Sequence, residues 1–238
     1  MDRVVLIFLD FETTGVTAKD KIVSAAVVSE REKLYELFNE GKKIPAEASS
    51  IHHITNEMIA DKKSFIESEI YDFLQKHNSE ESLLVAHNIT FHQEFLASHG
   101  IFWRGSLIDT QRVTKHLIPE CENFSLQFLR YELKLYRSEQ RSALAYGIKD
   151  ALVAHHALSD AIITKLLFEM LQELTSEDNM VALSFKSVLL EKFSFGKYKG
   201  HYVEEIVQSD YSYVVWLLNS ATDMDEDMRY TLNHYLQG

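Results

Sequence analysis

One cysteine, Cys121, stands in 238 residues, so no internal disulfide can staple the chain, and a reducing compartment fits. Proline occurs twice, and no internal repeat or low-complexity segment is visible. Long apolar runs are missing too, since nothing approaches the ~20 residues that a membrane span needs. The apolar opening is interrupted by Asp10 and lacks a small-residue cleavage site, which makes it a strand and not a signal peptide. The expectation is a cytoplasmic protein with no membrane partner. Basic residues are also short: 24 Lys and Arg against 36 Asp and Glu give a formal charge of −12. That balance argues against broad adhesion to nucleic acid or anionic lipid, while local contacts with phosphate stay open.

What is present is an ordinary globular composition, 46% apolar and 25% charged, long enough for one sizeable domain and a small second one. Arg3 to Leu9 reads as a central strand, with further strands at Ile22 to Ser29 and Lys33 to Phe38. The segment KKIPAEASSIHHITNEMIADKK is a connection with a short helix starting near Asn56. Helical spacing covers Phe65 to His77, and a short strand at Leu83 to Ala86 leads into a turn and a helix that ends at Gly100. Asp109 and Thr110 form an N-cap pair for a helix to Leu117. Ser125 to Leu135 and an unusually long Ile148 to Leu174 complete the helices. Strands first, then strands alternating with helices, predict an α/β layer with a mixed central sheet. Thr175 to Leu183 looks poorest in tertiary contacts, so domains are expected over 1–176 and 184–238. The run TDMDEDM (Thr222 to Met228) reads as a solvated helix start.

The stretch VVLIFLDFETTG carries the chemistry. Side chains alternate on a strand, so Phe8, Asp10 and Glu12 share one face and Leu9 and Phe11 the other. An unpaired buried carboxylate costs several kcal/mol or shifts until it is neutral, so two on one face require water or a cation. A second stretch, HHALSDAIIT, puts His155 and Asp160 five residues apart inside the long helix, about one and a half turns. They share no tight helical face, so a cluster using both needs the helix start or a loop to bring His155 round.

Asp10-x-Glu12 at a strand end, HNITF (His87 to Phe91) at a strand-to-helix turn, and His155 with Asp160 late in the domain together resemble the DEDDh (DnaQ-like) group of 3′→5′ exonucleases, which have a ribonuclease-H-like fold. The likeness covers Val4 to Leu171 and includes FETTG, IHHIT (Ile51 to Thr55), AHN (Ala86 to Asn88) and IDT (Ile108 to Thr110). The tail, from FSFGKYKG (Phe193 to Gly200) through EEIVQSDYSYVVWLLNS to NHYLQG, resembles the small α+β C-terminal domain of the exodeoxyribonuclease X-like proteins, as does IHHITNEMIADK.

The resemblance implies two divalent ions, Mg²⁺ or Mn²⁺, held by hard carboxylate oxygens. Asp10 would bridge both, Glu12 and Asp160 would complete the first site, and His155 would act as general base. The second aspartate of the group's H-N-x-x-F-D is absent here: the position is His92. Glu94 lies about 200° round the helix and should face away, and Asp109 reads as a cap. Three outcomes follow: His92 holds the second ion with a tilt toward Mn²⁺, the second ion binds only with substrate phosphate, or turnover is lost with the second site.

Thr13, Thr14, Gly15, His87 and Asn88 are candidates for holding the terminal nucleotide. FGKYKG lies in a segment, Lys186 to Gly200, with a net charge of +3, and Lys197, Tyr198 and Lys199 are candidates for phosphate contact and base stacking. The alternative is a tight hairpin anchored by Phe195 and Tyr198. Phe91 and Phe95 have core spacing. One of His52 and His53 is expected to be buried, His156 to be on the surface and Trp216 in the core. The partner implied is a DNA 3′ end, in repair or proofreading, with a repair-complex protein as a further possibility. The competing readings are a module that binds nucleic acid or recruits partners without turnover, and an exoribonuclease acting on short RNA.

Overall fold

The computed structural model describes residues 5–30, 32–222 and 224–237. Arg3 and Val4, assigned above to the first strand, lie outside the described residues, as do Asp223 of the acidic run and Gly238 of the last helix. The chain runs β1 (Val5–Thr13), β2 (Ile22–Ser29), β3 (Lys33–Leu37), α1 (Ala46–His52), α2 (Asn56–Ile59), a 3₁₀ turn (Phe65–Glu67), α3 (Glu69–His77), β4 (Ser82–Ala86), α4 (Ile89–Ser98), β5 (Ser106–Asp109) and α5 (Thr110–Leu117). It continues with α6 (Leu126–Glu132), α7 (Tyr136–Ala145), α8 (Ala157–Gln172), α9 (Glu177–Ser184), α10 (Val203–Ser209), α11 (Tyr211–Ser220) and α12 (Glu226–Gln237).

The sheet order is β3-β2-β1-β4-β5. β2 is antiparallel to β1 and β3, while β4 is parallel to β1 and β5, which is the expected mixed sheet. β1 continues four residues past Leu9, paired with β2 as far as Thr13. Its alternation divides the core. Phe8, with Val28 and Val85, packs under Ile162, Ile163 and Phe168 of α8, and the Phe8 and Phe168 rings meet edge-on at 5.4 Å. Ile7, Leu9 and Phe11 face the other layer, against α3 and α4. A separate core of Phe193, Val203, Val214, Met228 and Leu232 holds α10 to α12, and among the described residues its strand content is one antiparallel bridge between Lys192 and Tyr202.

Five expectations are corrected. The helix expected from Ile148 begins at Ala157, and residues 148–156 are loop. The reason is capture of backbone donors and acceptors: Ser159 Oγ accepts from Val153 N at 3.1 Å, Asp160 accepts from His155 N at 3.1 Å, and Arg130 donates to the Leu152 carbonyl at 3.0 Å. Those groups are then withdrawn from any earlier helical turn. His155, φ 56°, is therefore a turn residue and not part of the helix.

Thr175 to Leu183 is not poor in contacts. Met180 within it is fully buried in the α8 core, and Ser184, the next residue along and the last of α9, accepts from Asp109 N at 2.8 Å. The acidic run is a helix start, with Asp225 accepting from Asp227 N and Met228 N. Asp227, however, is buried and not solvated. It accepts from Arg112 of α5 at 2.9 and 3.1 Å and from Val188 N at 2.9 Å. This pair joins the C-terminal unit to the sheet domain, and its partner lies 115 positions upstream, beyond the reach of local pattern. Trp216 is 58% exposed, because Val214 and Leu217 take the buried face of α11. His156 is half-buried, stacked on Tyr35 at 4.4 Å.

Candidate active site

β1 delivers Asp10 and Glu12 to the face covered by α8, and Asp160 sits in the first turn of that helix. One carboxylate oxygen from each of the three lies within 4.8 Å of the others. Burial pushes the Asp10 carboxyl well above the usual range, and the charges of Asp160 and Glu12 add to the shift. Burial, then the Asp160 charge, raises Glu12 to about 8. Asp160 is raised to about 7 by burial, against the His155 N–H, the Gln127 amide and the charge of Arg130. Among the described residues no Lys or Arg side chain bonds to any of the three. Three crowded, desolvated carboxylates without a bonded cation must take up protons or a metal. The oxygen-only donor set suits a hard divalent ion.

His92, on α4, reaches the other side of Asp10. Its Nε2 is 3.7 Å from Asp10 Oδ1, and the side chain is 3% exposed. Burial lowers its pKa to about 3, so the ring is neutral. It rests against the Phe11 and Phe91 rings, at 5.4 and 5.3 Å. His92 does not join the three carboxylates as a fourth member of their cluster; it adjoins Asp10 alone. Glu94 is on the same helix but outside the cluster.

The remaining candidates occupy the frame. Both His87 nitrogens are taken, by Thr110 Oγ1 at 3.0 Å and the Phe124 carbonyl at 2.8 Å, and burial lowers this ring to about 4. Asn88 is exposed and left-handed, φ 65°, and its N–H donates to Asp109 Oδ1. Asp109 accepts four N–H groups in all, from Asn88, Ile89, Gln111 and Arg112. It caps α5, as read from IDT, and also ties down the start of α4.

Thr13 donates to the Gly15 carbonyl at 2.6 Å and Thr14 to Asp20 at 2.8 Å. A Cβ at Gly15 would stand 2.8 Å from the Asp20 carboxylate, so a side chain there would displace Asp20 from its bonds to Thr14, Thr17 and Lys42. His52 is buried and accepts from Ile54 N at 3.0 Å, and His53 is the exposed partner. Phe95 is buried against Phe91.

Lys197 and Tyr198 are both bound to Asp210, at 3.0 and 2.7 Å, and Lys197 sits over the Tyr198 and Tyr213 rings. Phe195 and Tyr198 pack against the C-terminal core, which is the hairpin-anchor arrangement. Lys199 is exposed. His155, also exposed, is held beside Asp160 by its main chain. Gln127, whose side chain meets Asp160, is not marked by the sequence, because nothing in its spacing to Asp160 sets it apart.

Comparison with known proteins agrees with this geometry. The family profile described as Exonuclease matches residues 7–168, and one described as Exodeoxyribonuclease X-like C-terminal matches residues 193–220. Exodeoxyribonuclease 10 of Escherichia coli (strain K12) is 28% identical over 237 residues, covering 96% of this chain and 97% of that protein. The 3′-5′ exonuclease DinG of Bacillus subtilis (strain 168) is 30% identical over 190 residues, 73% of this chain and 18% of that one. The solved structure of exonuclease X in complex with 5′ overhanging duplex DNA superposes with a TM-score of 0.58 at 25% identity, covering 75% of this chain and 99% of that chain. Among the described residues no helix is long and apolar enough to cross a membrane. A ribonuclease-H-like mixed sheet, three carboxylates converging at its centre and a matching tail place the chain in the exonuclease family, as a 3′→5′ exonuclease with an exodeoxyribonuclease X-like C-terminal region.

Proposed function

We propose that the chain removes nucleotides from DNA 3′ ends as nucleoside 5′-monophosphates, in DNA repair or proofreading. The observation that carries this reading is the convergence of Asp10, Glu12 and Asp160. The preference for DNA is drawn from the deoxyribonuclease relative of matching length.

Bound divalent ions supply a more acidic water and neutralise the charge that develops on the leaving oxygen. Asp10 adjoins both the other two carboxylates and His92, so it would contribute to holding an ion with either. Glu12 and Asp160 would hold the first ion with it. His92 would offer one neutral nitrogen to a second, which would favour Mn²⁺ or another imidazole-tolerant ion over Mg²⁺. His155, beside Asp160 and open to solvent, takes the proton of the attacking water. Thr13, Thr14, Gly15 and Asn88 are the candidates for backbone contact with the terminal nucleotide, and the tied ring of His87 keeps the Asn88 turn in place. Lys199, with Lys197 and Tyr198 in the same loop, gives the C-terminal unit a contact for the strand. We also retain the division into units 1–176 and 184–238, with α9 seated on the first.

A second reading has one specific observation behind it: the buried neutral imidazole where the group has a carboxylate. On that reading the chain binds 3′ ends, or recruits a repair protein, without turnover. Mononucleotide release from matched DNA and RNA oligomers, with Mg²⁺ or Mn²⁺, separates the possibilities. Metal-dependent release from DNA that Asp160→Ala abolishes supports the proposal. Equal release from RNA would reassign the substrate, and no release with either ion would leave the binding module.

A further inference from the structure

Asp160 is the one cluster carboxylate contributed by a helix, and two donors fix its orientation. Gln127 Nε2 reaches Oδ1 at 2.7 Å, and His155 N reaches Oδ2 at 3.1 Å. Each carboxylate oxygen can accept more than one partner, so these bonds leave acceptor capacity for a cation. What orients the Gln127 amide is Arg130, one turn further along α6. A guanidinium only donates, so its Nη1, 3.2 Å from Gln127 Oε1, assigns the oxygen to that side and leaves the amide N–H for Asp160.

Arg130 is itself fixed. It is 5% exposed, bound twice to Glu139 of α7 at 2.7 and 2.9 Å, and it donates to the Leu152 carbonyl at 3.0 Å. Leu152 lies three residues before His155. One guanidinium thus governs both the amide facing Asp160 and the loop that carries His155.

We infer that Gln127 and Arg130 are positioning residues of the metal site, holding Asp160 and the His155 loop in a geometry ready for a divalent cation. This rests on Asp160 being a metal ligand, as proposed above. Outer partners of this kind influence metal affinity or activity by about 10-fold to 100-fold. A purely structural contact would lower stability and leave the affinity of the folded protein alone.

The test is Mn²⁺ titration of the full chain, followed by electron paramagnetic resonance, with thermal unfolding in EDTA measured alongside. Asp160→Ala comes first: if it leaves Mn²⁺ affinity unchanged, the reading of the site fails and the inference with it. If Asp160→Ala weakens binding, Gln127→Met is expected to raise the Mn²⁺ Kd about 10-fold to 100-fold, with little change in the unfolding midpoint. Glu139→Gln, which loosens Arg130 and leaves Gln127 intact, should weaken binding less and in the same direction. Wild-type affinity in Gln127→Met overturns the inference while the metal site stands. Should Gln127→Met fail to fold, Glu139→Gln decides alone, and wild-type affinity there overturns it equally.

Discussion

The two sides of Asp10 are built on opposite principles. On the α8 side, Glu12 and Asp160 crowd their charges together, and burial drives their pKa values up to about 8 and about 7. On the α4 side, His92 brings no charge, and burial drives its pKa down to about 3. The first side is unstable without a cation. The second is comfortable without one, packed between two phenylalanine rings. Charge that attracts a metal also destabilises the metal-free fold, so this protein carries that strain on one side of the site only.

Asp10→Asn removes the residue common to both sides and has the largest expected effect, a fall in nucleotide release of about a thousandfold or more, since metal stabilisation is worth several kcal/mol. A rate within tenfold of wild type would show that Asp10 is not shared. Glu12→Gln affects the first side alone. It should lower activity less than Asp10→Asn and leave the Mn²⁺-over-Mg²⁺ ratio unchanged, a comparison read from paired metal titrations of the rate. His92→Asp makes the two sides alike, so Mg²⁺-supported turnover should rise by about tenfold relative to Mn²⁺. Unchanged metal preference in His92→Asp would break the contrast.

The smallest effect is on stability against pH, and the two sides pull in opposite directions. Folding raises Glu12 and Asp160, so the metal-free native state holds extra protons. Their contribution is present below the ordinary values of 4.5 and 3.8 and is lost as pH rises through about 7 to about 8. Folding lowers His92 and His87, so their contribution is present above 6.5 and is lost as pH falls toward about 4 and about 3. Unfolding midpoints in EDTA should therefore decline on both sides of mildly acidic pH. Added Mn²⁺ should flatten the alkaline decline alone, and His92→Asp should steepen it. An alkaline limb indifferent to Mn²⁺ would count against the cluster as the metal site.

How far this was legible in the sequence depended on the distance over which each determinant acts. The alternation of Phe8, Asp10 and Glu12 and the cap at Asp109 are local, and both are found where the pattern puts them. The turn at His155 was not legible, because Ala151 to Ala154 offer a helix no obstacle. Arg130, Ser159 and Asp160 withdraw that segment's backbone groups instead. α7 is not marked by the pattern for another reason: its ten residues are mostly polar and bury only Ala143, and its link to the site runs through Glu139 on Arg130. Asp227 looked solvated because Arg112 is brought to it only by the fold. Of the site, the carboxylates and the His92 departure could be read from motif order. The Gln127 contact that orients Asp160 could not.

The most direct measurement is release of nucleoside 5′-monophosphates from a 3′-labelled DNA oligomer, with Mg²⁺ and with Mn²⁺, for the wild type beside Asp160→Ala. Metal-dependent release, stronger with Mn²⁺ and absent in the variant, is the expected result. Release that survives Asp160→Ala, or that proceeds unchanged in EDTA, would contradict cation capture by these carboxylates as the basis of the activity.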